Sequence, residues 1–123
     1  MSNQILAGKR VLVTHADAFM GPVLCEVFAE HGATVIPSTD PLVHADAPGA
    51  VVAAAGHIDI LVANLALTAP TTAAAEVSDE EWNDAFAALV HPLPRLVRAV
   101  LPAMIARRSG KISSWAAHRH CGG

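Results

Sequence analysis

Short apolar runs alternate with amphipathic stretches along most of the chain. Val11–Val13, Ala33–Pro37 and Ile58–Asn64 are compact apolar segments, which are typical of strands buried in a parallel sheet. The apolar positions between them predict one helix over residues 20–31 and a shorter helix near residues 50–55. Because strands alternate with helices, the pattern predicts an α/β fold built on a parallel sheet.

The second half of the chain carries the strongest helical signals. Ser78 followed by Glu81 forms an S-x-x-E capping box, which predicts the start of a helix. The prolines within residues 91–94 should break or restart that helix. The next stretch repeats apolar residues at helical spacing, and the Gly-Lys-Ile sequence at 110–112 then begins a further strand. The apolar stripe consists of Leu93, Leu96, Val97, Val100, Leu101, Met104 and Ile105.

Composition narrows the class of protein without naming a function. The chain has 123 residues, 53% of them apolar, and a net charge of −3 with no basic run. One globular domain is therefore expected, with no nucleic-acid partner. No signal peptide and no apolar run of membrane-spanning length stands out, so no membrane partner is expected. The two cysteines are far apart and suggest no disulfide framework, which favours a cytoplasmic location.

The turn after the first strand is the most informative segment. Residues 14–21 read Thr-His-Ala-Asp-Ala-Phe-Met-Gly, between an apolar strand and a predicted helix. A turn that cradles phosphate groups needs glycines, because the backbone must approach the ligand closely. Here only Gly21 is present, and Phe19 occupies space that a dinucleotide would need.

The order of the elements and several segments resemble the short-chain dehydrogenase/reductase superfamily. These segments are the turn at 14–21, Asp59–Asn64 ("DILVAN") and Ser109–Ile112 ("SGKI"). The resemblance implies a truncated Rossmann-like fold over residues 1–112, with a doubly wound parallel sheet in a three-layer αβα arrangement. Members that use a nicotinamide carry T-G-x-x-x-G-x-G and N-N-A-G. This chain lacks the first two glycines of the former and has Ala-Asn-Leu-Ala at residues 63–66.

Within the superfamily, T-x-x-x-x-F-x-G resembles the halohydrin dehalogenases, especially their B-type members. That resemblance implies reversible conversion of a halohydrin to an epoxide and a halide, with no nucleotide cofactor. By resemblance Phe19 lines the halide pocket, while Thr14, Gly21 and Asn64 shape the turn and the strand ends. Two simpler interpretations stay open: Phe19 packs beneath a loop, and Asn64 is a strand-end hydrogen-bonding residue.

The chemistry of that family uses a Ser, a Tyr and an Arg. This chain contains no tyrosine, and Ala117 stands in register with the family's serine. We therefore expect no catalytic residue among these 123 residues and no activity of the fragment alone. No metal site is expected either, because His118, His120 and Cys121 lack further zinc ligands.

The final segment, residues 113–123, departs from the family pattern. After Gly-Lys-Ile the family continues with three apolar residues and then Gly-Ser-Ala. If one nucleotide is restored after the Ile112 codon, and residues 113 and 114 have TCN codons, residues 113–115 become apolar. The next codon must then encode glycine, and Ser and Ala are allowed at the two following positions. This pattern favours a frameshifted tail outside the family domain.

Two other functions stay open. The first is an NAD(P)-dependent short-chain oxidoreductase, which is the only interpretation that calls for a cofactor. The second is a non-enzymatic module for subunit interaction through the helix around residues 93–106. The wide apolar stripe of that helix predicts a homo-oligomeric or aggregation-prone chain. Cys25 is expected to pack in the core. Asp59 is expected to be an acidic residue at a strand edge or turn, although in the superfamily this position lies near the adenine.

Overall fold

The computed structural model describes residues 4–67 and 72–118, which form a parallel sheet with helices on both faces. Its strands are β1 (Arg10–Val13), β2 (Thr34–Pro37), β3 (Ile60–Leu67) and β4 (Lys111–His118). Its helices are α1 (Gly21–Glu30), α2 (Ala47–Ala55), α3 (Asp79–Leu89) and α4 (Pro92–Ala106), with a 3₁₀ turn at Ala74–Glu76.

The sheet has the order β2-β1-β3-β4, and all its pairs are parallel. One face packs on α1 through Val11, Val13 and Val62. The opposite face packs Leu12 and Leu61 against α2 and α4, and the larger core lies there. This is a three-layer, Rossmann-like α/β fold, as the sequence predicts.

The helix boundaries follow local chemistry. The hydroxyl of Ser78 caps α3 by accepting a hydrogen bond from the Glu81 amide at 3.1 Å, which confirms the predicted helix start. Helix α3 ends at Leu89 and α4 begins at Pro92, so the prolines restart the helix as expected. Proline is tolerated there because the first turn of a helix has no intrahelical partner for its amides.

Several predicted boundaries were wrong. Strand β3 runs over Ile60–Leu67 rather than Ile58–Asn64, because its carboxyl half pairs with β4 as far as Leu67 and His118. Helix α2 begins at Ala47, since Pro48 lies in its first turn. Residues 113–118 continue β4, and whether they are frameshifted stays a prediction.

One stretch has a property that the sequence pattern did not suggest. By length and composition, Asp79–Ala106 is long and apolar enough to cross a membrane. Core helices of soluble proteins pass the same test. The stretch is divided at Val90–His91, and Leu96, Val100 and Met104 face the core. It is therefore weak evidence for a membrane span.

Candidate functional site: a clamped turn at the carboxyl edge of the sheet

Thr14 and Asn64 lie side by side at the carboxyl edge of the sheet. Thr14 follows β1, Asn64 belongs to the neighbouring β3, and both are fully buried. The Thr14 amide donates to the carbonyl of Val62 at 3.2 Å, and the Thr14 hydroxyl donates to the carbonyl of Asn64 at 2.9 Å. These bonds fix the start of the turn to β3, at the edge where ligands bind in open α/β sheets.

The side chain of Asn64 clamps the turn itself. Its amide nitrogen donates to the carbonyls of His15 and Ala18, both at 3.0 Å. The orientation of the amide group is therefore set, because the opposite orientation would face an oxygen toward two carbonyl oxygens. The Oδ1 atom of Asn64 is buried and accepts no hydrogen bond from the described residues.

Gly21 is required by the close approach of α1 to the turn. It is buried at the first position of the helix. A Cβ atom there would lie 2.5 Å from the carbonyl oxygen of His15 and 2.6 Å from the carbonyl group of Ala16. Both contacts are with backbone, so a side chain could be accommodated only if the turn moved. The one glycine retained by the turn thus serves helix packing.

The two turn positions at which nicotinamide-using members carry glycine, here His15 and Phe19, have a backbone conformation that favours glycine. His15 has a φ of 44° and Phe19 a φ of 50°, both in the left-handed region. Holding non-glycine residues there is unfavourable, and the bonds from Asn64 hold the carbonyls of His15 and of Ala18, the residue before Phe19. The Phe19 side chain is 48% exposed, which contradicts the interpretation that it packs beneath the loop.

Many backbone amides of the turn already donate within the protein. The Ala18 amide bonds the carbonyl of His15 at 3.0 Å, and the Gly21 amide bonds the carbonyl of Ala18 at 2.8 Å. The Ala16 amide bonds the carbonyl of Ser38 at 2.9 Å. Pro22, at the start of α1, has no amide hydrogen. These three amides and Pro22 are therefore not available to a phosphate group, although helix amino termini commonly bind phosphate.

His15 is the titratable residue whose pKa this environment changes. Burial lowers the pKa of the imidazole below its ordinary value of 6.5, and the nearby carboxylate of Asp17 partly opposes that shift. The neutral form of His15 is therefore favoured at neutral pH.

The structure brings together all four predicted site residues: Thr14, Phe19, Gly21 and Asn64. Sequence reasoning missed Ser38 and Pro22. Ser38 accepts from the turn through its carbonyl, and its buried hydroxyl has no hydrogen-bond partner among residues 4–67 and 72–118. Only the position of Ser38 after an apolar run could have pointed to it.

The other candidate residues do not join this site. Cys25 is partly buried against the α1 face of the sheet, and burial raises the pKa of its thiol, so the packing interpretation holds. Asp59 precedes β3 at the amino edge, as expected of an edge or turn acid, whereas ligands of this fold bind at the carboxyl edge. Among residues 4–67 and 72–118 no cluster of potential metal ligands is present. His120 and Cys121 lie outside the described residues.

Residues 38–120 match the short chain dehydrogenase family. The chain belongs to that family. It is 30% identical to the 3-oxoacyl-[acyl-carrier-protein] reductase FabG of Escherichia coli (strain K12) over 130 residues, which cover 85% of this chain and 53% of the relative. The FabG protein of Vibrio harveyi is also 30% identical, over 138 residues that cover 87% of this chain and 54% of the relative. The chain thus spans about half the length of the curated relatives it matches.

Solved structures support the same fold. A structure described as a dehalogenation enzyme superposes with a TM-score of 0.79 at 27% identity, covering 89% of this chain and 54% of that one. A 3-oxoacyl-[acyl-carrier protein] reductase from Brucella melitensis with bound NAD superposes with a TM-score of 0.82 at 18% identity. The second match covers 92% of this chain and 55% of the reductase, and at that identity it supports the fold alone.

Proposed function

We propose that this short-chain dehydrogenase family member is an amino-terminal fragment of a halohydrin dehalogenase-like protein. In the intact protein the substrate hydroxyl would lose its proton to a base. The alkoxide oxygen would attack the neighbouring carbon, and the halide would leave as the epoxide ring closes. The reverse reaction would open an epoxide with a nucleophilic anion. The proposed partners are a small halohydrin or epoxide and a halide.

The observation that carries this proposal is the architecture of the turn at residues 14–21. A dinucleotide pyrophosphate needs open space and several backbone donors. In this turn the amides of Ala16, Ala18 and Gly21 already donate to protein carbonyls. Phe19 adds an aromatic side chain that is about half exposed at the same edge. These features favour a small anion beside an apolar group over a dinucleotide, and no cofactor is proposed.

A second candidate is an NAD(P)-dependent oxidoreductase. The observation that favours it is the 30% identity to two FabG reductases. The turn chemistry argues against it, because His15 and Phe19 replace the glycines that dinucleotide-binding members of the family carry. The likeness to a dehalogenation enzyme at 27% identity supports the first candidate.

The isolated chain should not dehalogenate substrates such as 1,3-dichloro-2-propanol. The chemistry needs a base within hydrogen-bonding distance of the substrate hydroxyl, and this chain has no tyrosine. Halide release above that of a heat-killed control, from protein free of host enzymes, would show that another residue acts as the base.

Sequencing the encoding DNA and the region downstream of it separates the two candidates. We expect TCN codons at Ser113 and Ser114, and a Tyr-x-x-x-Arg sequence in the frame restored after Ile112. The protein expressed from the restored frame should release halide without any nicotinamide. A Tyr-x-x-x-Lys sequence together with NADPH-dependent ketone reduction would favour the oxidoreductase. An AGT or AGC codon at either serine would exclude the frameshift as derived.

A further inference from the structure

A cavity lies at the edge of the sheet opposite the turn. Its volume is about 330 Å³. Lys9 immediately precedes β1, Ile60 begins β3 and Lys111 begins β4, so the cavity lies at the amino edge. Nothing in the proposed dehalogenase chemistry uses this edge, because ligands of the fold bind at the carboxyl ends of the strands.

Positive charge dominates the lining of this cavity. Lys9, Arg108 and Lys111 line it together with a single carboxylate, Asp59. That carboxylate is already engaged, since it accepts from the Arg10 amide at 2.8 Å and pairs with His57 Nε2 at 2.9 Å. Three cations therefore face the cavity against one satisfied acid, in a chain whose net charge is −3.

Two further arginines at the same edge, Arg10 and Arg107, have a structural role, because their side chains donate to backbone carbonyls. The Arg10 guanidinium donates to the carbonyls of His57 and Ala55 at 2.8 and 2.9 Å, and Arg107 donates to the carbonyl of Ile58. These side chains hold the loop before β3. Among the described residues, the side chains of Lys9, Arg108 and Lys111 make no hydrogen bond and no ion pair. Hydrogen bonds therefore account for Arg10 and Arg107. The pKa of the Asp59 carboxyl is lowered mainly by the hydrogen bond from the Arg10 amide, and Lys9 adds to this through its charge alone. No hydrogen bond or ion pair of a described residue accounts for Arg108 or Lys111.

The backbone holds one of the three cations at a defined position. Arg108 follows the end of α4 with a φ of 53°, in the left-handed region. Its amide bonds the carbonyl of Ile105 at 3.1 Å, and the next amide, that of Ser109, bonds the carbonyl of Met104 at 3.1 Å. The carbonyls at the end of α4 thus fix the Arg108–Ser109 segment, and both residues line the cavity.

The rest of the lining is partly apolar. Leu6 and Ile60 are half-buried and contribute hydrocarbon surface, and Ser109 contributes a hydroxyl. An inorganic anion would use the cations but not this surface. A molecule with a charged head and a short hydrocarbon tail would use both.

We propose that this cavity binds a small organic anion that carries a short apolar tail, at a site separate from the turn and independent of the proposed function. The cations Lys9, Arg108 and Lys111 hold the anionic head, and Leu6 and Ile60 contact the tail.

The test is titration of n-butyl phosphate into the isotopically labelled chain at low salt, followed by NMR. Saturable shifts are expected at the amides of Leu6, Ile60 and Lys111. n-Butanol and n-butyltrimethylammonium, which have the same tail without the negative charge, should not bind. Inorganic phosphate should bind more weakly than n-butyl phosphate. Raising the salt concentration should lower the affinity of the cavity for both anions.

Variants assign the site. The double variant Lys9→Gln with Lys111→Gln should lower the affinity for n-butyl phosphate by about tenfold or more. Both lysines are replaced together because each exposed charge contributes little alone and the anion is attracted by their combined electrostatic field. Arg98→Gln removes an exposed cation on α4 away from the cavity and should leave the affinity unchanged. Far-UV circular dichroism checks that both variants are folded.

Three results would overturn the proposal. The first is an equal affinity in the double lysine variant, and the second is a set of shifts centred on residues 14–21 instead of the cavity. The third is the absence of saturable binding at n-butyl phosphate concentrations up to about 10 mM, because a specific site should have a lower dissociation constant than that. Equal affinities for inorganic phosphate and n-butyl phosphate would refute the role assigned to Leu6 and Ile60.

Discussion

Replacing Asn64 with Asp tests whether its amide group holds the turn. The substitution keeps the size of the side chain but removes the two hydrogen bonds to the carbonyls of His15 and Ala18. Each such bond contributes about 0.5–1.5 kcal/mol, so their loss costs about 1–3 kcal/mol. The new carboxylate would also be fully buried and directed at two carbonyl oxygens. Burial and these oxygens both disfavour its charged form.

The pH dependence of the variant follows from that environment. The pKa of the introduced Asp should be raised in the folded state, so the folded state binds a proton that the unfolded state has released. Above the unfolded value of about 3.9, stability should therefore fall with pH by up to about 1.4 kcal/mol per unit, until the raised pKa is reached. Below that value the protonated acid can donate to one of the two carbonyls, and part of the stability returns. Near neutral pH the total loss should reach about 3–5 kcal/mol.

Urea unfolding followed by circular dichroism at about pH 4.5 and about pH 7.5 measures this effect. Thr14→Val is the matched control, because it removes one neighbouring hydrogen bond, to the carbonyl of Asn64, without adding a titratable group. Its loss should be about 0.5–1.5 kcal/mol at both pH values. A deficit of Asn64→Asp that does not change with pH, or wild-type stability at about pH 7.5, would show that Asn64 does not clamp the turn.

Further predictions concern Gly21, His15 and self-association. Gly21→Ala should destabilise the protein by about 1–3 kcal/mol in urea unfolding, whereas Gly49→Ala, with no atom within 4 Å of the added Cβ, should be neutral or stabilising. Because burial lowers the pKa of His15, the unfolded state takes up a proton first as the pH falls through 6.5, so stability should decline there. In melts at a series of pH values, the His15→Asn variant should lose less stability than the wild type as the pH falls. An equal loss in both proteins would show that His15 does not cause the decline. Light scattering at micromolar concentration should show self-association, since Trp82 and Ile105 are 57% and 65% exposed; a 12.7 kDa monomer with a cooperative melt would contradict this.

The apolar pattern predicted the layers of the fold better than the ends of its elements. A buried parallel strand is apolar along its length, so Val11–Val13 was identifiable from sequence alone. The carboxyl end of β3 was not, because pairing with β4 rather than local composition carries it to Leu67. Helix α2 begins at Ala47, before the predicted residues 50–55, because a proline in the first turn lets a helix begin.

The candidate site was predictable in its residues but not in its bonds. The spacing of Thr14 and Gly21, together with the resemblance, placed them in one turn. The Asn64 amide reaches two carbonyls of the turn because β1 pairs with β3. These hydrogen bonds join residues 46 and 49 positions apart in sequence, so local sequence patterns could not predict them. The role of the Ser38 carbonyl depends likewise on the pairing of β1 with β2.

Calorimetric titration of NADH and NADPH into the chain tests whether the turn at residues 14–21 excludes a dinucleotide. The Brucella melitensis reductase, whose structure contains NAD, serves as the positive control. We expect no saturable binding, because the amides of Ala16, Ala18 and Gly21 already donate to protein carbonyls and Phe19 occupies the turn. Binding of either nucleotide with micromolar affinity would contradict it and would make the oxidoreductase the better assignment.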